Sequence, residues 1–251
     1  ITVTSTDTAG NTSGSSAPLP FTVDTTAPGK NPDGSAGSVP APVLAIAEAA
    51  GGVNAQEAAD GVQTQVSLPT GTVAGDTITL TLSGPSGPHS VTYTVTSADV
   101  SAGSATVTIP VADISTGGNY ADGNYSVTAT VTDKAGNTSA ASNAAPFQLD
   151  TPAPAVPGFE VTDDVAPVTG GIVSGASTND TQPTFSGSTE PGATVKVYDK
   201  GQLLGSATAD SQGDWRFTPD TPLAQGEHSI TVTSTDTAGN TSGSSAPLPF
   251  T

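Results

Sequence analysis

One stretch of this chain occurs twice, letter for letter. The 22 residues ITVTSTDTAGNTSGSSAPLPFT occupy residues 1–22 and return as residues 230–251. Sequence drift blurs such a match between ordinary homologous domains, so the chain is predicted to be part of a tandem array of near-identical modules. In such arrays each module contacts only its neighbours, and the number of modules sets the length. The repeat therefore predicts several small modules in a row.

The composition favours small β modules over one large core. Of the 251 residues, 34% are hydrophobic and 4% are aromatic, and there are 29 Gly and 21 Pro. Cys is absent, which removes disulfides and thiolate metal sites. The net charge of −18 repels nucleic acid and anionic membranes and attracts multivalent cations, although solubility alone also explains it. Because of this charge we expect no nucleic-acid partner. No run of about 18 apolar residues is present, so we expect no direct membrane insertion.

A five-residue phrase follows an alternating run of apolar and polar residues at three places. The phrase is DTAGN at 7–11, DKAGN at 133–137 and DTAGN at 236–240. Before the second copy, Tyr125, Val127, Ala129 and Val131 form one apolar face. A period of two with β-branched residues predicts a half-buried strand, and Asp, Gly and Asn then favour a hairpin turn.

A second phrase, FTVDTTAP at 21–28 and FQLDTPAP at 147–154, closes each module with a proline-stiffened linker. We therefore predict a C-terminal hairpin of a truncated module at 1–23, a larger module at 24–149 and a smaller module at 150–251. The hairpin is completed either by preceding strands or by a neighbouring molecule. Seven strands are predicted in the smaller module, at 159–162, 184–188, 194–199, 203–209, 215–218, 229–234 and 248–251.

Seven short strands separated by turn signals predict an Ig-like β-sandwich. The phrase DGNYSV at 122–127 supports this, because Ig folds place a Tyr two residues before a core position of the penultimate strand. The smaller module has His228 in place of Tyr125, which predicts a weaker corner in the same register. The predicted fold class is all-β, with tandem Ig-like β-sandwich domains in an extended rod.

The smaller module contains the phrases VTDDV at 161–165, TNDT at 178–181, FSGSTEPGAT at 185–194 and GDWRF at 213–217. Together with the turn phrases, these resemble the bacterial Ig-like repeats of giant surface adhesins, the type I-secreted (RTX-type), biofilm-associated kind. The resemblance covers nearly the whole chain. It implies an extracellular extender region on the bacterial cell surface that supports adhesion and biofilm formation. It also implies neighbouring Ig-like modules as partners, calcium at the domain junctions, and any glycan or host surface bound through other parts of the protein.

The strand order gives a separate argument for calcium. In a seven-strand sandwich the B–C and F–G loops meet the incoming linker at one end, which we call the leading end. The A–B and E–F loops lie at the opposite, trailing end. Three carboxylates are then expected at each leading end: Asp24, Asp76 and Asp133 in the larger module, and Asp150, Glu190 and Asp236 in the smaller. Such clusters repel unless a cation lies between them, and Ca²⁺ accepts about 6–8 oxygen ligands in irregular geometry.

A second acidic cluster is expected at the trailing end of the smaller module. Asp163, Asp164 and Asp180 would there help to bind Ca²⁺ at the next joint. In the larger module, the segment 48–57 is predicted to be a loop with a short helix and no metal. The alternative for the turn and linker carboxylates is structural: the Asp of the five-residue phrase closes an Asx-turn, and the linker Asp caps a strand end.

Two classes of function remain open from the sequence. A structural extender is favoured by the repeat and the linkers. The alternative is an Ig-like module that itself binds a glycan or a host protein, for which the longer loops of the larger module are the candidate. No enzyme is expected, because His89 and His228 lie in different modules and no nucleophile elbow is present.

Overall fold

The computed structural model describes residues 1–111 and 120–251. In the larger module the elements are β1 (Leu44–Ile46), a 3-10 turn (Ala47–Ala49), α1 (Ala55–Asp60), β2 (Val62–Ser67), β3 (Thr77–Ser83), β4 (His89–Thr94), α2 (Ser97–Ala102), β5 (Ser104–Ile109), β6 (Gly123–Thr132) and β7 (Ala145–Leu149). In the smaller module they are β8 (Phe159–Asp163), β9 (Gly170–Gly171), β10 (Thr184–Ser188), β11 (Thr194–Asp199), β12 (Gln202–Thr208), β13 (Asp214–Phe217), β14 (His228–Thr235) and β15 (Leu248–Phe250). Among these described elements, no helix has the length and apolar character needed to cross a membrane.

Each module has two antiparallel sheets. In the larger module the strand orders are β1-β2-β5 and β4-β3-β6-β7, and in the smaller they are β13-β10-β8-β9 and β12-β11-β14-β15. The fold is therefore all-β with Ig-like domains in tandem, as predicted. All seven strands predicted for the smaller module are present to within a residue at each end, and the short strand β9 is an addition.

The apolar faces of the strands build two separate cores. In the larger module, Leu80 of β3 and Val127 of β6 have no exposed surface, and their neighbours two residues away are equally buried. In the smaller module, Phe185, Val197 and Ile230 are likewise fully buried. The two cores share no residue, which follows from the alternating pattern because each module closes its own sandwich.

The tyrosine corner is present in both modules, with different chemistry. The Tyr125 hydroxyl donates a hydrogen bond to the Ala121 carbonyl at 2.7 Å, four residues upstream. In the smaller module His228 Nε2 makes the equivalent contact with the Ala224 carbonyl at 2.8 Å, and its Nδ1 lies 2.8 Å from Asp199 Oδ2. His228 therefore retains the corner that the sequence predicted to be weakened.

The hairpin at residues 1–23 is held by backbone and side-chain hydrogen bonds but leaves its apolar side chains exposed. Ile1, Val3 and Phe21 are 69%, 66% and 64% exposed. The same residues in the second copy, at positions 230, 232 and 250, are 0%, 0% and 3% exposed. Because the two sequences are identical, this difference comes only from the sandwich that lies beneath the second copy.

Candidate functional site

The Asp of the five-residue phrase closes its own turn. Asp133 Oδ1 accepts hydrogen bonds from the Ala135 and Asn137 backbone N–H groups at 2.8 and 2.9 Å, and its Oδ2 accepts from Asn137 Nδ2 at 2.9 Å. Burial raises the pKa of Asp133, but the hydrogen bonds from Asn137 and the turn backbone outweigh it and lower the pKa below its ordinary value. Asp236 is held in the same way by Asn240. Closing an Asx-turn, the structural alternative to binding calcium, is therefore one role of Asp133 and Asp236.

The Asn that ends the phrase binds the incoming linker. Asn137 Nδ2 donates to the Asp24 carbonyl at 3.1 Å, and Asn240 Nδ2 donates to the Asp150 carbonyl at 2.7 Å. Sequence analysis missed this role. The available signal was the recurrence of Asn as the fifth residue of all three phrases.

Asp24, Asp76 and Asp133 come together at the leading end of the larger module. All three line one surface cleft of about 440 Å³. Asp76 is only 1% exposed; its Oδ2 accepts a hydrogen bond from the Val73 backbone N–H at 2.8 Å, while its Oδ1 is buried without a partner among the described residues. A buried carboxylate oxygen without a donor is costly unless a cation or water satisfies it.

Calcium fits the chemistry of this cleft but would need more than its carboxylates. Across residues 1–111 and 120–251, no three His, Cys, Asp or Glu side chains form a group that could hold a metal ion by themselves. Backbone carbonyls and water would have to complete the set, which Ca²⁺ accepts. The Lys134 side chain lines the same cleft, and a Cβ added at Gly75 would lie 2.6 Å from its Nζ. Lys134 thus brings one positive charge to the cleft.

The smaller module has a different leading end. Asn240 Nδ2 donates both to the Asp150 carbonyl and to Asp236 Oδ2, so these two residues meet at one joint. Burial raises the pKa of Asp150, and the charges of Asp236 and Asp122 raise it further. Asp122, which the sequence analysis did not count, lies before β6 and its Oδ1 accepts hydrogen bonds from the backbone and hydroxyl of Thr151, both at 2.9 Å. Glu190 is exposed in the loop between β10 and β11.

The B–C loops of the two modules show why Glu190 and Asp76 are not equivalent. The backbone N–H of Asp76 donates to the Val73 carbonyl, and the backbone N–H of Ala193 donates to the Glu190 carbonyl in the same way. Ala193 therefore occupies the position of Asp76, and like Asp76 it is 1% exposed. The buried free carboxylate of the larger module has no counterpart at this position.

The acidic residues at the trailing end of the smaller module form a hydrogen-bonded group. Asp163 Oδ2 accepts from the Thr178 hydroxyl at 2.6 Å, and the same hydroxyl accepts from the Asp180 backbone N–H at 3.0 Å. Asp163 and Asp180 are 5% and 6% exposed. Asp164 has an exposed side chain and joins through its backbone N–H, which lies 3.4 Å from Asp180 Oδ2. Asp163 and Asp180 are thus buried in one hydrogen-bonded group, while the Asp164 side chain is exposed.

Comparison with known families decides what these modules are. Residues 39–151 and 157–251 each match the bacterial Ig-like domain family. The chain belongs to this family. Each matched range contains leading-end carboxylates described above. Asp24 lies before the first range. Asp150 falls within the first range, although Asn240, whose side chain binds the Asp150 carbonyl, falls within the second.

Several solved structures are similar to these bacterial Ig-like domains in fold. One is a tetra-tandem repeat in the extending region of a large adhesion protein, with 20% identity and a TM-score of 0.32 over 84% of this chain and 49% of that chain. The chain thus spans about half of that structure. The fibronectin(III)-like modules of Clostridium thermocellum CbhA have 15% identity and a TM-score of 0.43, over 83% of this chain and 93% of that chain. A 1.5-MDa bacterial ice-binding adhesin has 19% identity and a TM-score of 0.38, over 98% of this chain and 72% of that chain. No curated protein matches the chain.

Proposed function

We propose that this chain is an extender segment of a bacterial cell-surface adhesin. Its tandem Ig-like modules would form a rod, outside the cell, that carries a binding domain away from the surface and supports adhesion and biofilm formation. The observation that carries this proposal is the linker, which is bound on both sides: Thr151 donates to Asp122 of the larger module, and Asn240 of the smaller module donates to the Asp150 carbonyl. Domains in one chain move relative to each other by default, so a linker bound at both ends favours a spacer.

The unchanged 22-residue repeat supports the same function. The length and stiffness of a spacer come from the number and stiffness of its modules, so near-identical copies are compatible with its function. The finer assignment, a type I-secreted adhesin of the RTX kind, rests on the phrases of the smaller module that resemble such repeats. The same resemblance supports a location on the bacterial cell surface.

Calcium is the second part of the proposal. We propose that Asp24, Asp76 and Asp133 hold Ca²⁺ at the leading end of the larger module, with carbonyl oxygens and water as further ligands. The unpartnered, buried Oδ1 of Asp76 supports this assignment most directly. A bound Ca²⁺ would satisfy that oxygen and neutralise the repulsion between the three carboxylates. Ca²⁺ binding by Asp163, Asp164 and Asp180 stays a prediction, which the same titration examines.

For the set Asp150, Glu190 and Asp236 the residues fit Ca²⁺ less well. Ala193 stands at the position of Asp76, and Glu190 is exposed. We therefore restrict the calcium proposal at the leading ends to the larger module.

Calorimetric titration of the full chain with Ca²⁺ tests the calcium site. Wild type should bind Ca²⁺ with a rise in melting temperature, and Asp76→Asn should lose one binding event or at least about tenfold in affinity, which corresponds to about 1.4 kcal/mol. Asn at this position still accepts the Val73 hydrogen bond, so the loop should stay folded. The control Asp214→Asn removes an equal charge from an exposed strand residue of the other module and should bind as wild type does.

Two results would contradict the proposal. Equal stoichiometry and affinity in Asp76→Asn and wild type would remove Asp76 from the site. In small-angle X-ray scattering, a maximum dimension well short of two end-to-end modules, with and without Ca²⁺, would contradict the rod itself. The two results are independent, because a rod without Ca²⁺ would keep the extender function and lose only the calcium site.

A further inference from the structure

The turn with the five-residue phrase occurs in two very different surroundings. Its third residue is exposed in the hairpin and in the larger module, at Ala9 and Ala135. In the smaller module the equivalent Ala238 is only 9% exposed, and Asn240 is 7% exposed. The hairpin and the smaller module have the same turn sequence, so the burial of Ala238 comes from a neighbour and not from the turn itself.

That neighbour is a segment of the larger module. Residues 51–56, which we call the docking segment, contact the turn directly. Asn54 Nδ2 donates to the Ala238 carbonyl at 3.0 Å, and the Ala55 backbone N–H donates to Asn240 Oδ1 at 2.9 Å. Gly52 lies so close that an added Cβ would be 3.5 Å from the Ala238 Cβ. Two hydrogen bonds and the close approach of Gly52 to Ala238 thus join the two modules outside the linker.

The docking segment is itself fixed to the larger module. Val53 is fully buried, and its backbone N–H donates to the Gln148 carbonyl at 2.7 Å while its carbonyl accepts from the Asp150 N–H at 2.9 Å. Asn54 is the N-cap of α1: its Oδ1 accepts from the Gln56 and Glu57 backbone N–H groups. The Asn54 Oδ1 thus caps the helix while its Nδ2 reaches the next module, so hydrogen bonds connect β7 to the turn through the docking segment.

We propose that the joint between the larger and the smaller module is locked by this direct docking and does not need Ca²⁺. The leading end of the larger module, with its free buried carboxylate, would be the calcium-dependent joint. Two kinds of joint would then alternate along an array of such pairs, and removal of Ca²⁺ would loosen only every second one. The biological role of this docking rests on the proposed extender function, but its geometry does not.

Substitution of the buried turn residue tests the docking, and the larger module provides a matched control. Ala238→Gln places a long side chain against Gly52 and should separate the modules, whereas Ala135→Gln makes the same change in an exposed turn. Residual dipolar couplings of the full chain in excess chelator report whether both modules share one alignment tensor. Wild type and Ala135→Gln should show one tensor, unchanged by Ca²⁺, and Ala238→Gln should show two.

A second variant keeps the test valid if Ala238→Gln disturbs its own module. Asn54→Asp retains an oxygen that caps α1 but loses the donor to the Ala238 carbonyl, so it should also give two tensors. Asn143→Asp adds the same charge at an exposed loop position away from the joint and should give one. Two tensors for wild type in chelator would overturn the proposal, as would one tensor for both Ala238→Gln and Asn54→Asp. Neither result depends on Ca²⁺ binding by Asp76, which the titration reads separately.

Discussion

At the scale of the residue, Asp150 is a carboxylate whose surroundings disfavour its ionised form. Burial raises its pKa, and the negative charges of Asp236 and Asp122 raise it further. A raised pKa in the folded state means that folding penalises the ionised form. The stability of this region should therefore be highest below the unfolded pKa of Asp150 and should fall as the pH rises through the folded pKa.

Replacement of Asp150 by Asn removes that penalty. Asp150→Asn is expected to raise the melting temperature at neutral pH in excess chelator, and to flatten the rise in stability on acidification. Melting curves followed by circular dichroism between about pH 4 and pH 7 measure both effects. A lower melting temperature for Asp150→Asn would show instead that the carboxylate has a stabilising partner.

Asp133 provides a control of opposite sign. Burial raises its pKa, but the hydrogen bonds from Asn137 and the turn backbone lower it by more, so the ionised form stabilises the fold. This contribution is present above the unfolded pKa and is lost as the pH falls through the folded pKa. Asp133→Asn should therefore lower the melting temperature at neutral pH, in contrast to Asp150→Asn.

At the scale of the element, serine side chains take part in the pairing next to the penultimate strand of each module. Ser245 donates its backbone N–H to the Val232 carbonyl at 2.9 Å, while its Oγ accepts from the Val232 N–H at 3.0 Å. Ser242 makes the same pair of bonds with Ser234 of β14. The chain around Ser242 and Ser245 is not a regular strand. Their hydroxyls accept the β14 hydrogen bonds that the backbone carbonyls of a neighbouring strand would otherwise accept.

Ser245→Ala is expected to lower the free energy of unfolding of the smaller module by about 1–3 kcal/mol, because the N–H of the fully buried Val232 loses its acceptor. The neighbouring Ser244 is exposed, and Ser244→Ala should change stability by less than about 0.5 kcal/mol. Urea unfolding followed by the fluorescence of Trp215, the single Trp of the chain, measures both. Equal stabilities for the two variants would show that water replaces the hydroxyl.

The elements could be predicted from the sequence because their signals are local. Alternation around Val232 and the turn phrase after it identify β14 without knowledge of the rest of the fold. The docking of Asn54 could not be predicted, because its partner Ala238 is 184 residues away and no local pattern links them. The sequence also could not show that Ala193, and not Glu190, lies at the position equivalent to Asp76. Only the backbone hydrogen bonds of the two loops reveal this equivalence.

At the scale of the whole molecule, the two copies of the repeated stretch have the same sequence and the same hairpin pairing in different surroundings. Residues 230–251 supply β14 and β15, and β14 lies between β11 and β15 in its sheet. Residues 1–22 have the same sequence, hold a similar hairpin and expose the apolar side chains that the second copy buries. Within the described residues, the surface that fits them is the sandwich of residues 150–229, which a second copy of this chain can offer.

Deletion of residues 230–251 tests this exchange. The shortened chain is expected to complete its smaller module with the hairpin of a second chain, so that Trp215 stays buried and assemblies of two or more chains form as the concentration rises. Val3→Asp in the shortened chain places a charge where the second copy has a fully buried Val232, and it should abolish both the assembly and the folded fluorescence. Light scattering and Trp215 fluorescence report the two effects. A shortened chain that stays monomeric with Trp215 exposed at every concentration would show that identity of sequence is insufficient, because the hairpin must then form together with the strands that precede it.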